Sequence, residues 1–411
     1  MKLKTSLVAL LPFSCLLSGP AMAGGLYLYE VGGEDVGLAS AGLAARAQDA
    51  GTILGNPAGM TRLSGDQLST GLQVLTGNAD YHLSDSAAVK GNSPGNVLEP
   101  FPSASVFYSH SVDDRLKVGI GIYGNYGSAL HYGDWAAQSL VKDVALTALT
   151  VQPTVAYRVS DHWSIGAGLG INYGYFSLKR QTADGQQKDS DHDWATNAHV
   201  GILYELNQST RFGLTYTSET DYSFKVNPTA ALSYTFHPVP SGPGITVTRD
   251  VTLPLAGLVK TPQQVMFSAF HEINARWNVM GNLGWQNWSR YSESSVSVAG
   301  NELAGGDKLR DTWHAAIGVQ YQASNVLRLD GGIAYDSSFY KSQSNASLTM
   351  PSGAAWRFGI GAQYQLTPQS TLGASFEYLQ MQGSTVQSPI IGGQFSTNHL
   401  YFVAMNYSHK F

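Results

Sequence analysis

The sequence predicts an all-β fold: a 14-stranded antiparallel transmembrane β-barrel with an N-terminal hatch, or plug, inside the lumen. Three observations favour it: alternation of apolar with small or polar residues, few charges, and short connections that alternate with long ones. Segment 163–175 shows the alternation most clearly, because large apolar side chains occupy its odd positions and glycine, serine or asparagine its even positions. Such a strand suits a wall with lipid on one side and a lumen on the other.

Composition agrees with a membrane barrel. Only 13% of the 411 residues are charged, about half the ~25% of a typical soluble domain, and mean hydropathy is near neutral at −0.11. Polar and apolar residues alternate along each strand of a membrane barrel, so their contributions to mean hydropathy cancel. A soluble β-sandwich, the alternative, would carry more charge on its outward faces. The net charge of −5 gives no case for a nucleic-acid partner.

Residues 1–23 are predicted to form a secretory signal peptide. Two early lysines precede an apolar core, and Ala21-Met22-Ala23 forms a small-x-small cleavage site. The only cysteine, Cys15, lies in this segment, so we expect neither disulfide nor thiol chemistry in the mature chain. No later stretch approaches the roughly 18 apolar residues of a membrane-spanning helix. Such an exported chain is periplasmic, secreted or located in the outer membrane.

Residues 24–65 are predicted to form the hatch, which is too short to bury a core of its own and needs the barrel lumen as its host. The stretch 37–48 is rich in alanine and has a spacing compatible with a helix. Residues 55–59 then make a sharp break. The barrel is predicted to occupy residues 66–411.

Fourteen alternating segments are predicted within the barrel. Their bounds are 66–77, 101–112, 115–128, 144–159, 162–180, 192–206, 210–227, 250–272, 276–299, 307–322, 326–336, 353–367, 370–384 and 397–411. Short connections alternate with long ones along the chain. Outer-membrane barrels have short periplasmic turns and long extracellular loops, so both ends of this even-stranded barrel fall on the periplasmic side.

The sequence indicates no catalytic centre. Residues 119–124 match the GxGxxG pattern of dinucleotide-binding proteins, but they lie within a strand that no helix follows. His271-Glu272 lacks the second histidine of a zinc protease motif. His110 and Ser111 are adjacent on a strand, so they face opposite sides and cannot act as a pair. We therefore expect no enzyme activity, no metal and no cofactor.

Two arginines are candidate ligand-binding residues. Arg180 shares the inward side of its strand with Gly174, and Arg310 shares that of Thr312 and His314. Both lie toward the extracellular end of the predicted barrel. Arginine can grip a carboxylate head group with two hydrogen bonds. The alternative is a charge that belongs to the wall or faces lipopolysaccharide.

The chain resembles the FadL-type family of outer-membrane transporters of long-chain fatty acids and other hydrophobic compounds. The resemblance covers essentially the whole mature chain. It is carried by Asn56-Pro57-Ala58 just before the first strand and by residues 201–206, 214–216, 218–219, 334–336 and 411. It implies that residues 24–65 close the lumen and that Asn56, Pro57 and Ala58 belong to the hatch signature. It further implies that ligands are caught among the outer loops and pass to an apolar pocket.

The resemblance also implies that the ligand leaves sideways through a gap beside a kinked third strand. The third predicted strand, 115–128, carries Gly119, Gly121 and Gly124. Glycines within strands mark irregular pairing or close approach. By parity, Gly119 and Gly121 face inward, where they would leave room for the hatch. The alternative is that each is an ordinary structural glycine.

The expected partners are a hydrophobic small molecule (a long-chain fatty acid or an aromatic hydrocarbon), outer-membrane lipid and the barrel assembly machinery. We expect a monomer, since a closed barrel has no free edges, in the outer membrane of a Gram-negative bacterium. Segment 134–141 could form a short amphipathic helix at the outer mouth, and the alternative is an ordinary surface loop helix. Two other functions stay open: a surface adhesin or receptor barrel, and a general porin for polar solutes.

Overall fold

A computed structural model describes residues 29–411 apart from residues 183, 228, 237–244, 253–254, 294–295, 299–300, 304–308, 345, 350 and 389. The predicted signal peptide and the first five residues of the predicted hatch lie outside the described residues, so these boundaries stay predictions. None of the helices in the described residues is long and apolar enough to cross a membrane.

Fourteen antiparallel strands form a closed barrel, as the sequence predicts. They are β1 (Gln67–Asn78), β2 (Phe101–Ser111), β3 (Leu116–His131), β4 (Asp143–Arg158), β5 (Trp163–Thr182), β6 (Gly185–Glu205), β7 (Thr210–Thr217), β8 (Gln264–Asn274), β9 (Trp277–Gln286), β10 (Thr312–Gln322), β11 (Leu327–Asp336), β12 (Ala355–Thr367), β13 (Ser370–Met381) and β14 (Asn398–Lys410). Each pairs with the next along the chain, and pairing between β1 and β14 closes the ring.

Side chains alternate between lipid and lumen along the strands. On β5 the apolar residues at odd positions are largely exposed, whereas the small and polar residues at even positions are mostly less so. Aromatic pairs mark both ends of this lipid-facing row. Trp163 lies 4.6 Å from Tyr204 between ring centroids at one end, and Tyr173 lies 5.0 Å from Trp194 at the other. Such pairs form the aromatic girdles of a membrane barrel.

The prediction is wrong for the outer parts of three strands. The alternation predicts single strands over 210–227, 250–272 and 276–299, but the wall strands stop at Thr217, start at Gln264 and stop at Gln286. Beyond the wall, Thr220–Val226 pairs with Leu255–Thr261 in a separate four-stranded sheet. An alternating pattern continues across the exit from the wall, so it cannot show where the chain leaves the barrel.

The prediction of a loop over residues 181–191 is also wrong. β5 and β6 pair continuously up to Thr182↔Gly185 and form a hairpin that extends past the outer aromatic girdle. Outside the bilayer both faces of a strand meet water or polar groups, so the apolar alternation that marks a strand within lipid is lost.

The hatch packs against the inner face of the barrel. Within it lie α1 (Gly33–Gly37), α2 (Thr52–Gly55) and the 3-10 helix Pro57–Arg62. The prediction of helix-like structure over 37–48 is wrong, because turns follow Gly37 and positive φ angles occur at Ala39, Ser40 and Ala47. Residues with such angles interrupt a right-handed helix.

Inward-facing glycines of the wall leave the space that the hatch backbone fills. A Cβ atom on Gly332 of β11 would lie 1.9 Å from the carbonyl oxygen of Leu38. A Cβ on Gly213 of β7 would lie 1.8 Å from that of Ala44. These separations are too short for any side chain, so glycine is required where the two backbones approach.

Candidate functional site: the hatch contacts, the outer cluster and a break in the wall

The wall is irregular where β2 and β3 meet. β2 pairs with β3 only over Ser105–Ser111, and its partner residues on β3 end at Tyr123, although β3 continues to His131. On its other side β3 stays paired with β4 along its outer part, after a register shift between Tyr123 and Tyr126. The outer part of β3 therefore follows β4 and separates from β2, which leaves a break in the backbone pairing of the wall.

An apolar cavity of about 50 Å³ adjoins this break. Phe101 of β2 and residues 127–130 of β3 contribute to its lining, together with Leu75, Met381 and Leu400. None of the described residues that line it is charged. The Phe101 ring lies against Gly127, where a Cβ atom would be 3.3 Å from the ring. Phe101 therefore closes part of the space that the missing strand pairing leaves.

The structure places Gly119 and Gly121 against the hatch. A Cβ atom on Gly119 would lie 2.8 Å from Ile53 and 2.9 Å from the sulfur of Met60. On Gly121 it would lie 3.2 Å from Ile53 and 3.0 Å from Phe107. The absence of side chains at both positions lets the hatch approach the inner part of β3.

Gly124 has a different environment from the other two glycines of β3. It lies where β2 and β3 have separated, and a Cβ atom there would be 3.7 Å from the hydroxyl oxygen of Ser103 on β2. The nearest atom to that Cβ would be the carbonyl oxygen of Ala148 on β4, at 3.4 Å, so Gly124 lies between its two neighbouring strands and its nearest contacts are not with the hatch.

Asn56 of the predicted hatch motif is fully buried and links the hatch to the wall. Its amide nitrogen donates to the carbonyl oxygens of Ala44, at 2.7 Å, and Ile202 on β6, at 3.0 Å. Its side-chain oxygen accepts from the backbone N–H of Ala58 at 3.0 Å, which caps the 3-10 helix. The Asn56 side chain thus forms hydrogen bonds with two parts of the hatch and with one wall strand.

The other two motif residues, Pro57 and Ala58, lie against β5. A Cβ atom on Gly166 would be 2.4 Å from the backbone nitrogen of Ala58 and 2.7 Å from the Cβ of Pro57. Pro57 also occupies the first turn of the 3-10 helix, a position that needs no backbone N–H donor. The motif therefore supplies a rigid turn that fits closely against two neighbouring strands.

Arg357 of β12 holds the start of the hatch and was not among the predicted site residues. Its guanidinium lies 2.9 Å from Glu30, 2.5 Å from Asp336 and 3.3 Å from Glu377. His314 contacts Asp336 at 2.7 Å. Burial raises the pKa of Glu30, and Arg357 opposes that shift. A signal existed in the sequence, since Arg357 shares the inward side of its strand with glycines.

A second ionic group holds the next part of the hatch. Arg46 contacts Asp35 and lies 3.2 Å from Glu34. Glu34 also contacts Arg328 of β11, which lies 2.9 Å from Asp330. Both ionic groups fix the hatch to β11–β13, away from the break beside β3. Sequence reasoning missed them because acids and bases far apart in the chain carry no mark of their pairing.

A large cluster of buried apolar residues fills the space between the outer ends of the strands and the loops. Its aromatic members include Tyr132, Trp135, Phe339 and Tyr340. Burial raises the pKa of the Tyr132 and Tyr340 phenols, because it disfavours their charged forms. Segment 134–141 contributes to this cluster as a series of turns, not as the short helix considered from the sequence.

The two candidate ligand-binding arginines flank this outer cluster, Arg180 on β5 and Arg310 just before β10, five strands further round the ring. Arg180, which is 2% exposed, donates to Gln187 at 2.6 Å and lies 3.6 Å from Asp189. Arg310 is exposed just before β10 and donates to the carbonyl oxygen of Ser338 at 2.9 Å. A leucine two residues before Arg180 and the leucine preceding Arg310 belong to the cluster. The arginines therefore border it from different sides.

A closed fourteen-stranded barrel with its own N-terminal segment in the lumen and a break in the pairing of β2 with β3 is an architecture that suits an outer-membrane transport protein. The chain belongs to the outer membrane protein transport protein family (OMPP1/FadL/TodX), whose model matches residues 14–411. This membership confirms the resemblance found in the sequence and places the protein in the outer membrane of a Gram-negative bacterium.

One similar relative is the long-chain fatty acid transport protein of Escherichia coli K12. It is 26% identical over an aligned length of 410 residues, and the alignment covers 89% of this chain and 90% of that protein. A Pseudomonas aeruginosa FadL homologue has the same fold, with a TM-score of 0.76, 14% identity and coverage of 94% of this chain and 100% of that one. The Pseudomonas putida toluene transporter TodX gives a TM-score of 0.69, 17% identity and coverage of 94% and 99%.

Proposed function

We propose that this protein takes up hydrophobic small molecules, principally long-chain fatty acids, by passive diffusion through the hatch-closed barrel, with lateral exit beside β3. The observation that carries the proposal is the break between β2 and β3 next to an apolar cavity. A ligand that leaves there enters the membrane directly. The hatch, with the signature Asn56, Pro57 and Ala58, closes the alternative path along the barrel axis.

The energetics of an apolar ligand favour this route. Each methylene kept out of water contributes about 0.8 kcal/mol. A water-filled pore would forfeit that contribution, whereas a path from the outer cluster through an apolar cavity to the hydrocarbon retains it. Transport then needs no energy source, because the ligand partitions down its own gradient.

Capture of a fatty acid also needs a site for its carboxylate. Arg180 and Arg310 border the outer apolar cluster, so a bound acyl chain could lie in the cluster with its head group at either arginine. Arg180 already contacts Asp189, so binding there exchanges one anionic partner for another. This exchange would make capture reversible.

Aromatic hydrocarbons are the second candidate cargo. The cavity beside the break is small, at about 50 Å³, and none of its described lining residues is charged. These properties favour a compact, uncharged ligand. The similarity of fold to a toluene transporter supports the same cargo class.

A reversible disulfide across the break tests the lateral exit. The hydroxyl oxygen of Ser103 lies 3.7 Å from the site of a Cβ on Gly124, so cysteines at these two positions would project into the same space across the break. We expect S103C/G124C to lose uptake of labelled oleate and toluene when oxidised and to regain it after reduction. Uptake would be measured in cells that lack their own carrier.

The matched control is A145C/S177C, which joins residues that already oppose each other on β4 and β5. Oxidation of this pair should leave uptake unchanged. Wild-type uptake by S103C/G124C with a verified cross-link would show that the ligand leaves elsewhere. Native mass spectrometry of the detergent-purified protein would identify the cargo that co-purifies.

A further inference from the structure

The hairpin of β5 and β6 carries an ordered series of residue pairs on its outward face. The two strands are in register along their whole length, and outward residues lie directly opposite one another. From the outer aromatic girdle toward the tip, these pairs are Tyr173↔Trp194, Tyr175↔His192, Ser177↔Ser190 and Lys179↔Lys188. The series passes from aromatic to hydroxyl to cationic side chains, as a surface would that leaves hydrocarbon and enters a polar, anionic layer.

The pair of lysines is unusual for a sheet. Like charges directly opposite each other on antiparallel strands repel. Lys179 lies 3.3 Å from Asp143 on β4, but Asp143 also contacts His131. Lys188 has no carboxylate within ion-pair distance among the described residues, and its ammonium lies 5.9 Å from the centroid of the Tyr175 ring. The protein itself therefore leaves positive charge uncompensated at this point.

The position of the two lysines indicates which ligand could compensate their positive charge. They lie six residues beyond the aromatic girdle, which corresponds to about 20 Å along a strand and about 14 Å along the membrane normal for a tilt of about 45°. That height corresponds to the sugar and phosphate layer of the outer leaflet. The flexible lysine stems also let the ammonium groups reach toward the bilayer.

We propose that Lys179 and Lys188 form a binding site for the phosphorylated head group of lipopolysaccharide. A phosphate between the two ammonium groups would remove their repulsion, and Tyr175 and His192 would lie beneath the attached sugars. The site is separate from the transport route, because Arg180 follows Lys179 on the strand and faces the opposite side of the wall.

The first test measures binding of deep-rough lipopolysaccharide to the purified full-length protein in detergent, by native mass spectrometry and titration. We expect K179Q/K188Q to weaken binding by about fivefold for each lysine removed. K90Q/K410Q, which removes the same charge from a loop and from the periplasmic end, should bind as the wild type does. Equal binding by both double variants, or equal wild-type binding of enzymatically dephosphorylated lipopolysaccharide, would overturn the proposal.

Thermal unfolding supplies a second readout with a distinctive sign. Without lipid, K188Q should unfold at a higher temperature than the wild type, because the repulsion is gone. Added lipopolysaccharide should then raise the midpoint of the wild type more than that of K188Q. A lower midpoint for lipid-free K188Q would mean that the lysine serves the hairpin itself, and the proposal would be wrong.

Discussion

Replacing Gly332 with alanine should displace the hatch, whereas the same change at the neighbouring Gly331 should not. The two glycines lie next to each other on β11 and face opposite sides of the wall. A Cβ atom on Gly332 would lie 1.9 Å from the carbonyl oxygen of Leu38, and real Cβ contacts are essentially never shorter than 3.0 Å. On Gly331 the nearest atom would be 3.9 Å away, which is an ordinary contact.

The hatch backbone must therefore retreat by about 1.1 Å in G332A. Overpacking of this kind costs about 1–3 kcal/mol. If the cost falls on docking of the hatch, the undocked fraction rises by about 5- to 150-fold. G331A gains one methyl group on the lipid face and should leave docking unchanged.

Single-channel recording in planar bilayers would detect the displaced hatch as ion-conducting openings. Limited proteolysis would detect it independently as faster cleavage within residues 29–65. The heat-modifiable mobility of the folded barrel on gels shows that each variant has folded. The reasoning is refuted if folded G332A conducts no more ions and is no more sensitive to protease than the wild type. It is also refuted if G331A shows ion-conducting openings as often as G332A.

Three further changes test separate contacts. N56A should weaken hatch docking by about 2 kcal/mol, because a cap and a bond to the wall are lost; exposed N325A is the control, and equal protease resistance of the two would contradict it. The hydrogen bond from His110 lowers the pKa of Asp66 to about 2, so its stabilising contribution should be present above about pH 4 and be lost as the pH falls toward 2. D66N should lack that loss, which thermal melts across this range would show. R180Q should reduce uptake of oleate but not of toluene, and an equal loss of both would mean that Arg180 only supports the fold.

The strands within the bilayer could be predicted from the sequence because lipid and lumen impose opposite demands on successive residues. The alternation predicts β3 at 115–128, and the strand runs over Leu116–His131. The same logic fails outside the bilayer, where both faces are polar. The pattern therefore predicts a loop where the outer hairpin of β5 and β6 lies, and extensions of the wall where the outer sheet lies. Alternation reports which way a side chain faces, but not which strand lies beside it.

The sequence predicts the candidate site only where a residue type, such as an inward-facing glycine, itself sets how much space is left for a neighbour. Parity placed Gly119 and Gly121 on the inward side of β3, and the structure sets both against Ile53 of the hatch. The contact between Arg357 and Glu30 could not be foreseen, since 326 intervening residues separate them. The partner of Arg180 was hidden for a related reason: Asp189 lies on the stretch of β6 that carries no apolar pattern.

The pairing of β1 with β14 has a consequence for the order in which the molecule is assembled. The ring stays open until its final strand is in place, and the hatch precedes the first strand in the chain. The contacts of the hatch with β6, β11 and β12 can therefore form on a curved, incomplete sheet before the seam is sealed. We therefore expect a residue too bulky for this interface to hinder closure of the seam as well as docking of the hatch.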